Sequence, residues 1–483
     1  MTDGNAQSSL KIGWAKADIT PVKPVMLGGQ FHARLSEGVK DPLTSTALAL
    51  QSGQEGIVFA SCDLLYVTDE LRDSIRSAAC SMVRELTAEM IVINGTHTHT
   101  APQLNPMPEA WLMAAKKYNT IDGPQYIAWA SQKIASAIAD AWNSRKPGGF
   151  SFGVGAAVVG RNRRWTNTKG VSRMYGDTND PEFSHIEGWE DHSLNVLATH
   201  DTTGKVTGLV VNIACPSQAT EGLFEVSADY WHDTRLELRR LLGDSLFVLP
   251  QCSAAGDQSP HHIINKKAEL RMLELLGRTQ REEIAHRISQ TVAQILPAIS
   301  KKIDYSPVMR RTFKLLNLPV NALTEEDAAT ALGEAKIHED ECRRFVAQLE
   351  ADPSLYDQPR WYVPSSAEGY RAEWFRNVAK RFEMQKSNPA KPVELHVLRL
   401  GDMVFSTNPF EYYLDFGAYI KARSSAVQTF LVQLCGGGTY VPSKRSQAGG
   451  GYGSIPASNP VGPEGGRVLA QESVSAINAL FEQ

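Results

Sequence analysis

The chain has 483 residues, 42% of them hydrophobic and 21% charged, a balance that excludes a disordered or fibrous state and leaves room for one large catalytic unit or up to three domains. Lys and Arg number 49 against 53 Asp and Glu, so the net charge of −4 provides no overall field for nucleic acid or an anionic membrane. The six cysteines stand singly, the start Met1–Leu10 is polar, and no stretch approaches 18 apolar residues; the expectation is a cytoplasmic protein without disulfides or a transmembrane segment.

Short apolar runs bounded by turn residues predict strands at Ala47–Leu50, Gly56–Ser61 and Met90–Asn94. Helices are predicted over Thr68–Glu85 and Gln125–Trp142. In the first, Thr68 is the cap, Asp69 and Glu70 fill the first turn, and Leu71, Ile75, Ala79 and Met82 share one face. Strand signals follow at Phe150–Val159, Leu194–Thr199, Thr207–Ala214 and Leu246–Leu249, with a long Gly, Asp and Pro-rich loop at Tyr175–Asp191. Helical periodicity then dominates Lys266–Leu296, Thr324–Leu349 and Ala372–Met384. Strands return at Leu395–Leu400, Met403–Ser406 and Thr429–Gln433, before a Gly-rich stretch from Gly436 to Gly453 and a helix at Gly465–Phe481. Such mixing predicts one α/β domain spanning residues 10–483, with residues 264–390 as a helical insertion.

Two segments carry candidate chemistry. Asn94-Gly95-Thr96-His97-Thr98-His99-Thr100 follows a strand, and histidines at i and i+2 face one side if the backbone stays extended. Imidazole is the commonest metal ligand, but 12 histidines alone give roughly 0.3 such pairs by chance, so the pair needs company. Ser253-Ala254-Ala255-Gly256-Asp257-Gln258-Ser259-Pro260-His261-His262 also follows a strand, and its small residues let the backbone turn tightly; a plain turn is the competing reading. No G-x-S-x-G elbow occurs, which disfavours an ordinary α/β-hydrolase. The tryptophans Trp111, Trp165 and Trp231 read as packing residues, with Trp165 beside Arg163 also placed to line an entrance. The Gly436–Gly438 and Gly449–Gly451 runs lack phosphate-loop spacing and read as hinges.

Taken in order, these segments resemble the neutral, non-lysosomal ceramidase family of zinc-dependent amidases. The likeness runs through Ala17-Asp18-Ile19-Thr20-Pro21, Asp41-Pro42-Leu43 and Ser61-Cys62-Asp63, and is strongest at Asn94–Pro102, similar to the family's Gly-Thr-His-Thr-His-x-x-Pro. Asn162-Arg163, Gly256-Asp257-Gln258-Ser259-Pro260, Asn408-Pro409-Phe410-Glu411 and Tyr440-Val441-Pro442-Ser443 resemble further family segments, with Tyr452 twelve residues beyond Tyr440. The resemblance implies two packed central β-sheets flanked by helices in αββα layers. It implies a zinc ion with His97, Glu411 and Tyr440 among its ligands, and His99, Arg163, Ser259 and Tyr452 around the scissile amide. Nitrogen and oxygen ligands suit zinc, which would activate water at neutral pH.

The chain departs from the family where a second zinc histidine precedes a proline, for here Cys215 precedes Pro216. Thiolate also binds zinc, so Cys215 is the expected fourth ligand, with a small buried hydrophobe as its other reading and His232 as a substitute donor. The family's C-terminal β-sandwich is not expected in this sequence. A small or polar N-acyl compound therefore fits better as substrate than ceramide. Two rivals stand beside the zinc amidase: a serine-type hydrolase using Ser259 with His261 or His262, and a non-catalytic binding protein whose metal site decayed at Cys215.

Overall fold

The computed structural model describes residues 8–482. Of the polar start read at Met1–Leu10, residues 1–7 lie outside them. The strands of the first sheet are β1 (Leu10–Asp18), β2 (Thr44–Ser52), β3 (Glu55–Cys62), β4 (Ile91–Gly95), β5 (Lys146–Ala156), β6 (Ser193–Asp201), β7 (Val206–Ile213) and β8 (Phe247–Cys252), in the order β8-β7-β6-β5-β1-β2-β3-β4. A second sheet holds β9 (Met309–Pro319), β10 (Ala390–Leu400), β11 (Met403–Thr407) and β12 (Gln428–Val432) in sequential order. Neighbours are antiparallel except at three places: β3 with β4, β7 with β8, and β11 with β12 run parallel.

The sheets pack face to face. Leu10, Ile12, Leu48, Leu50, Phe59, Leu197 and Leu249 of the first meet Met309, Leu398, Leu400, Phe405 and Phe430 of the second in one buried cluster. Strands buried on both faces are near-continuously apolar, which is why β2 to β4, β7 and β8 read so plainly in the sequence. Helices cover the outer faces. On the first sheet, α1 (Asp69–Met82) and α2 (Gly123–Asn143) pack over β1 to β4, and α3 (Tyr230–Leu242) and α4 (Gln280–Ile299) over β6 to β8. After α4 come α5 (Glu325–Ala351) and α6 (Val363–Met384), which pack on each other; α7 (Leu414–Arg423) and α8 (Pro463–Ala479) cover the second sheet. The layers are αββα, and no helix of the described residues is long and apolar enough to cross a membrane.

Within residues 264–390 the structure is less uniformly helical than its periodicity suggests. Strand β9 pairs along its whole length with β10, from Met309 opposite Leu400 to Pro319 opposite Ala390. As an edge strand it carries Arg310, Arg311 and Lys314, and these charges hide the apolar alternation. The periodicity over Lys266–Leu296 also breaks into two helices at Gly277, a left-handed cap with φ of 61°. Trp111, Trp165 and Trp231 are all buried packing residues.

Candidate active site

The three parallel pairs bring remote segments to one place. Cys62 lies opposite Gly95, Ile213 opposite Cys252, and Thr407 opposite Val432, so each pair ends together and its outgoing loops leave side by side. Backbone bonds join these ends across the sheets, Gly95 N–H to Leu434 O at 3.2 Å and Gln433 N–H to Cys252 O at 3.0 Å. Loops beyond the carboxyl ends of parallel strands are where open α/β sheets hold ligands.

His97 and His99 follow β4. The extended strand end expected there bends instead, because His97 takes a left-handed φ of 66°. Its N–H donates to Leu64 O at 2.9 Å and its Nδ1 bonds Leu65 O at 2.8 Å. A carbonyl only accepts, so Nδ1 carries a proton there and the Nε2 edge of the ring faces Glu411 Oε2 at 3.4 Å. The two imidazoles still meet, edge to face, with centroids 5.0 Å apart. Gly29 makes room for His99: its φ is +95°, and a Cβ there would lie 2.5 Å from the His99 ring.

Glu411 and Tyr440 are opposite one another in a two-residue parallel bridge, and Tyr440 hydrogen-bonds the Glu411 side chain. Arg163, 1% exposed, is aimed by the pairing of Asn162 with Gln258 and Arg161 with Ser259. Its Nη2 donates to Gly256 O at 2.9 Å and to the Tyr440 hydroxyl at 3.2 Å, and lies 3.8 Å from Glu411 Oε2; its Nη1 donates to the Tyr175 hydroxyl and to Gln218 Oε1 at 3.1 Å. Burial works against ionising the Glu411 carboxyl, but His97, Arg163 and Tyr440 outweigh it and hold the group below the usual carboxylate range. Burial likewise opposes the Arg163 charge, and Tyr175, Tyr440 and Glu411 more than restore it. His99 is held neutral, first by burial and then by His97, Arg34 and Arg163. Beneath them, burial raises the Asp257 carboxyl to about 6; this group accepts from Leu414 N–H at 2.8 Å and Asn162 Nδ2 at 3.3 Å.

Tyr452 closes the outer side. It is 36% exposed, stands edge-on to Tyr440 at 5.4 Å, and packs on Phe31 and on Trp374 of α6, so these rings form an aromatic rim beside the centre. Trp165 lines no entrance; it is buried and donates to Tyr175 O at 2.8 Å.

Cys215 is not gathered with these groups. It is packed in the cluster beneath α3 and α4 with Tyr230 and Trp231, its thiol 3.5 Å from Pro216 O, and burial holds that thiol protonated, with Cys252 adding to the effect. His232 is in the first turn of α3, packed partly away from solvent, with no side-chain partner among the described residues. Ser259 is fully buried; its Oγ lies 3.1 Å from His261 Nδ1, while His261 Nε2 lies 3.1 Å from Glu221 Oε1. His262 turns away toward Glu269 at 3.9 Å. Gln218, Glu221 and Tyr175 complete the pocket and were not foreseen: they come from loops without a spacing signal, and only the fold brings them to Arg163 and His99.

The donors can be tested against zinc. Among the described residues no three His, Cys, Asp or Glu side chains gather closely enough to hold a metal ion. What converges is one imidazole, one carboxylate and one phenol. Zinc bonds of about 2.0–2.2 Å to nitrogen and oxygen at a tetrahedral angle separate two donors by about 3.4 Å, which matches the His97 to Glu411 distance. The Nδ1 bond of His97 to a backbone carbonyl is also the usual orientation of a metal-binding histidine. Three protein donors with a fourth position open suit a catalytic rather than a structural ion.

Fold and pocket together define an αββα protein with a buried, ionisable centre at the ends of its parallel strands. A scan against protein-family models finds no match, and a search of curated proteins finds none. Among solved structures, the chain is similar to the neutral ceramidase of Pseudomonas aeruginosa, with a TM-score of 0.66 at 15% identity over 98% of this chain and 75% of that one. It is equally similar to a ceramidase complexed with C2, TM-score 0.66 at 13% identity, over 98% of this chain and 76% of that one. The fold is that of the neutral ceramidases.

Proposed function

We propose that this protein is a ceramidase-like hydrolase that cleaves the amide bond of an N-acylated compound, with a zinc ion held by His97, Glu411 and Tyr440. The observation that carries the reading is the approach of His97 Nε2 to Glu411 Oε2 at 3.4 Å, with Tyr440 and Arg163 on the same carboxylate, in a fold shared with ceramidases. Zinc, when bound, supplies Lewis acidity at this point of the pocket. The chain's own residues do the rest. Arg163 and the Tyr452 hydroxyl are the donors for negative charge developing on the carbonyl oxygen. His99, neutral and buried, accepts a proton from the attacking water and passes it to the amide nitrogen as the C–N bond breaks, so the products are a carboxylic acid and an amine. The aromatic rim of Phe31, Trp374 and Tyr452 suits an apolar acyl group.

A second reading draws on the contacts of Ser259 with His261 and of His261 with Glu221, which resemble a nucleophile, base and orienting acid. The full burial of Ser259 weighs against it. The test is a panel of N-acyl amides of varied chain length, with zinc measured by elemental analysis on gently purified protein. The zinc reading expects turnover abolished by chelators and restored by zinc, and loss of metal in His97→Ala but not in Ser259→Ala. Activity untouched by chelation and abolished in Ser259→Ala would favour the serine reading, and saturable ligand binding without turnover of any amide would favour a binding protein.

A further inference from the structure

The helix Lys266–Leu276 is turned inside out for the surface of a globular protein. An amphipathic helix ordinarily lays its apolar stripe on the core, yet no residue of this one is buried. Ala268, Met272, Leu275 and Leu276, at i, i+4, i+7 and i+8, form one arc that faces solvent, with Met272 46%, Leu275 62% and Leu276 45% exposed. Ile264, 54% exposed, stands one turn ahead of the arc. Only Glu269 and Leu273, four apart on another side, are half-buried. The fastening is ionic: Glu269 is held by Arg161 at 2.5 Å and by Arg287 at 3.4 Å. The helix thus points a carboxylate inward and hydrocarbon outward.

Charge and area decide what covers the arc. Lys267 and Arg271, also four apart, border it beside Leu275, and Lys266 opens the helix; all three are exposed and without an ion-pair partner among the described residues. The one exposed carboxylate of the helix is Glu274, so its exposed groups are net positive although the chain carries −4. About half of each of four large apolar side chains amounts to on the order of 400 Å², too much for scattered surface residues and short of the roughly 800 Å² per partner that a stable dimer buries. A hydrocarbon stripe edged by Lys and Arg matches an anionic bilayer, where the stripe enters the acyl boundary and the cations stay among the headgroups.

We propose that the Ile264–Leu276 segment docks this protein on the surface of a bilayer containing anionic phospholipids. The chain reaches the helix directly from Gln258 and Ser259, which pair with Asn162 and Arg161 next to Arg163. A docked helix therefore holds the border of the pocket against the lipid. Delivery of an N-acyl amphiphile from that surface rests on the amidase reading; the docking does not.

The full chain is sedimented with vesicles of phosphatidylcholine containing about one third phosphatidylglycerol, and with vesicles of phosphatidylcholine alone. The wild type is expected to bind the anionic vesicles about tenfold or more tightly than the neutral ones, and to lose that preference as salt rises. Each Lys or Arg at an anionic surface is worth about fivefold in partitioning, so Lys267→Gln with Arg271→Gln is expected to weaken binding about 25-fold. Met272→Glu with Leu275→Glu is expected to abolish it at an unchanged melting temperature, since both side chains face solvent. On a short, water-soluble N-acyl amide both double variants are expected to keep the wild-type kcat/KM; on a long-chain amide presented in the anionic vesicles, KM is expected to rise about tenfold with kcat unchanged. Wild type that ignores anionic vesicles or binds neutral ones equally well, or binding that survives either double variant, overturns the proposal. Dimerisation that the glutamate pair abolishes, without vesicle binding, also overturns it and makes a second copy the partner. Vesicle binding by a protein that turns over no amide sustains the docking and sinks the amidase reading, and turnover without vesicle binding does the reverse. Should the glutamate pair not fold, the glutamine pair and the salt series decide by the same measurement.

Discussion

Gly256→Ala acts on the centre without touching any of its side chains. A Cβ at 256 would lie 2.3 Å from Glu411 O and 2.8 Å from Glu411 C, whereas ordinary contact starts near 3.4 Å, so about 1 Å must be found. The obstacle is backbone, and the Gly256 N–H is itself bound to Tyr412 O at 2.9 Å, so the two segments move apart together or not at all. Overpacking of this kind costs about 1–3 kcal/mol. The segment displaced carries Glu411, and Arg163 loses its acceptor at Gly256 O as well. A misplacement of about 1 Å in reacting geometry is worth about 10² in rate. Urea denaturation should therefore show a lower midpoint at constant slope, and kcat/KM on an N-acyl amide should fall about a hundredfold in the fraction that remains folded. Gly222→Ala is the control, because nothing lies within 4 Å of a Cβ there; its change should stay within about 0.5 kcal/mol. Wild-type stability and activity in Gly256→Ala would refute the close approach of these backbones.

Three further outcomes follow from other parts of the structure. Arg235→Met removes the bidentate partner of Asp63, at 2.7 and 3.0 Å, and strands a fully buried carboxylate; the loss should be about 3–5 kcal/mol in urea denaturation, with Asp63→Asn in the same background recovering much of it. Cys215→Ala should leave zinc stoichiometry unchanged and cost only packing, about 1 kcal/mol, since the thiol faces the core beneath α3; release of metal on that substitution would reinstate Cys215 as a ligand. The fold depresses the His99 pKa below its unfolded value, so the unfolded chain binds this proton first. Its contribution is complete above about pH 6.5 and lost as pH falls toward the folded value. His99→Gln should therefore lose less stability than wild type between pH 7 and 5, and parallel melting curves would contradict it.

What could be read in advance was what local pattern encodes. The strands buried on both faces announced themselves because nearly every residue in Ala47–Leu50 or Thr207–Ala214 is apolar, and α1 because Thr68 caps it by accepting from Leu71 N–H at 3.1 Å. Strand β1 is hard to read from sequence although Leu10, Ile12 and Trp14 alternate with Lys11, Gly13 and Ala15; its later half is only partly buried, so the alternation fades toward Asp18. Within the pocket, His97, His99, Arg163, Glu411, Tyr440 and Tyr452 could be singled out because their neighbours resemble known segments. Gln218 and Glu221 could not, for their meaning arises from Arg163 and His99, which are 55 residues and more away in sequence. The bend at His97 was also hidden. Nothing in Thr-His-Thr-His declares a left-handed residue, a conformation that costs a non-glycine residue about 1–2 kcal/mol; the carbonyls of Leu64 and Leu65 offset it with two hydrogen bonds to the same histidine.

The same topology explains why so many segments meet. Each parallel pair sends two loops from one end, so three such pairs deliver six, and the pocket stands where the two sheets bring them together. One buried side chain ties the ends to each other. Gln433, just past β12, accepts through Oε1 from Ala255 N–H at 3.2 Å and Tyr412 N–H at 3.0 Å, and its amide nitrogen donates to Cys252 Sγ at 3.2 Å. It is 1% exposed, so no water stands ready to replace it. Gln433→Leu keeps most of the volume and leaves two backbone donors buried without acceptors, each costing about 1–3 kcal/mol, so the variant should lose about 2–6 kcal/mol. Gln433→Glu keeps the acceptor and should lose less if the carboxyl is protonated, which predicts that it recovers toward low pH. Amide exchange at Tyr412, one residue from Glu411, should accelerate in the leucine variant before global unfolding does. If instead Gln433→Leu melts within about 1 kcal/mol of wild type with Tyr412 still protected, the strand ends are held by their sheets alone and the pocket needs no tie between them.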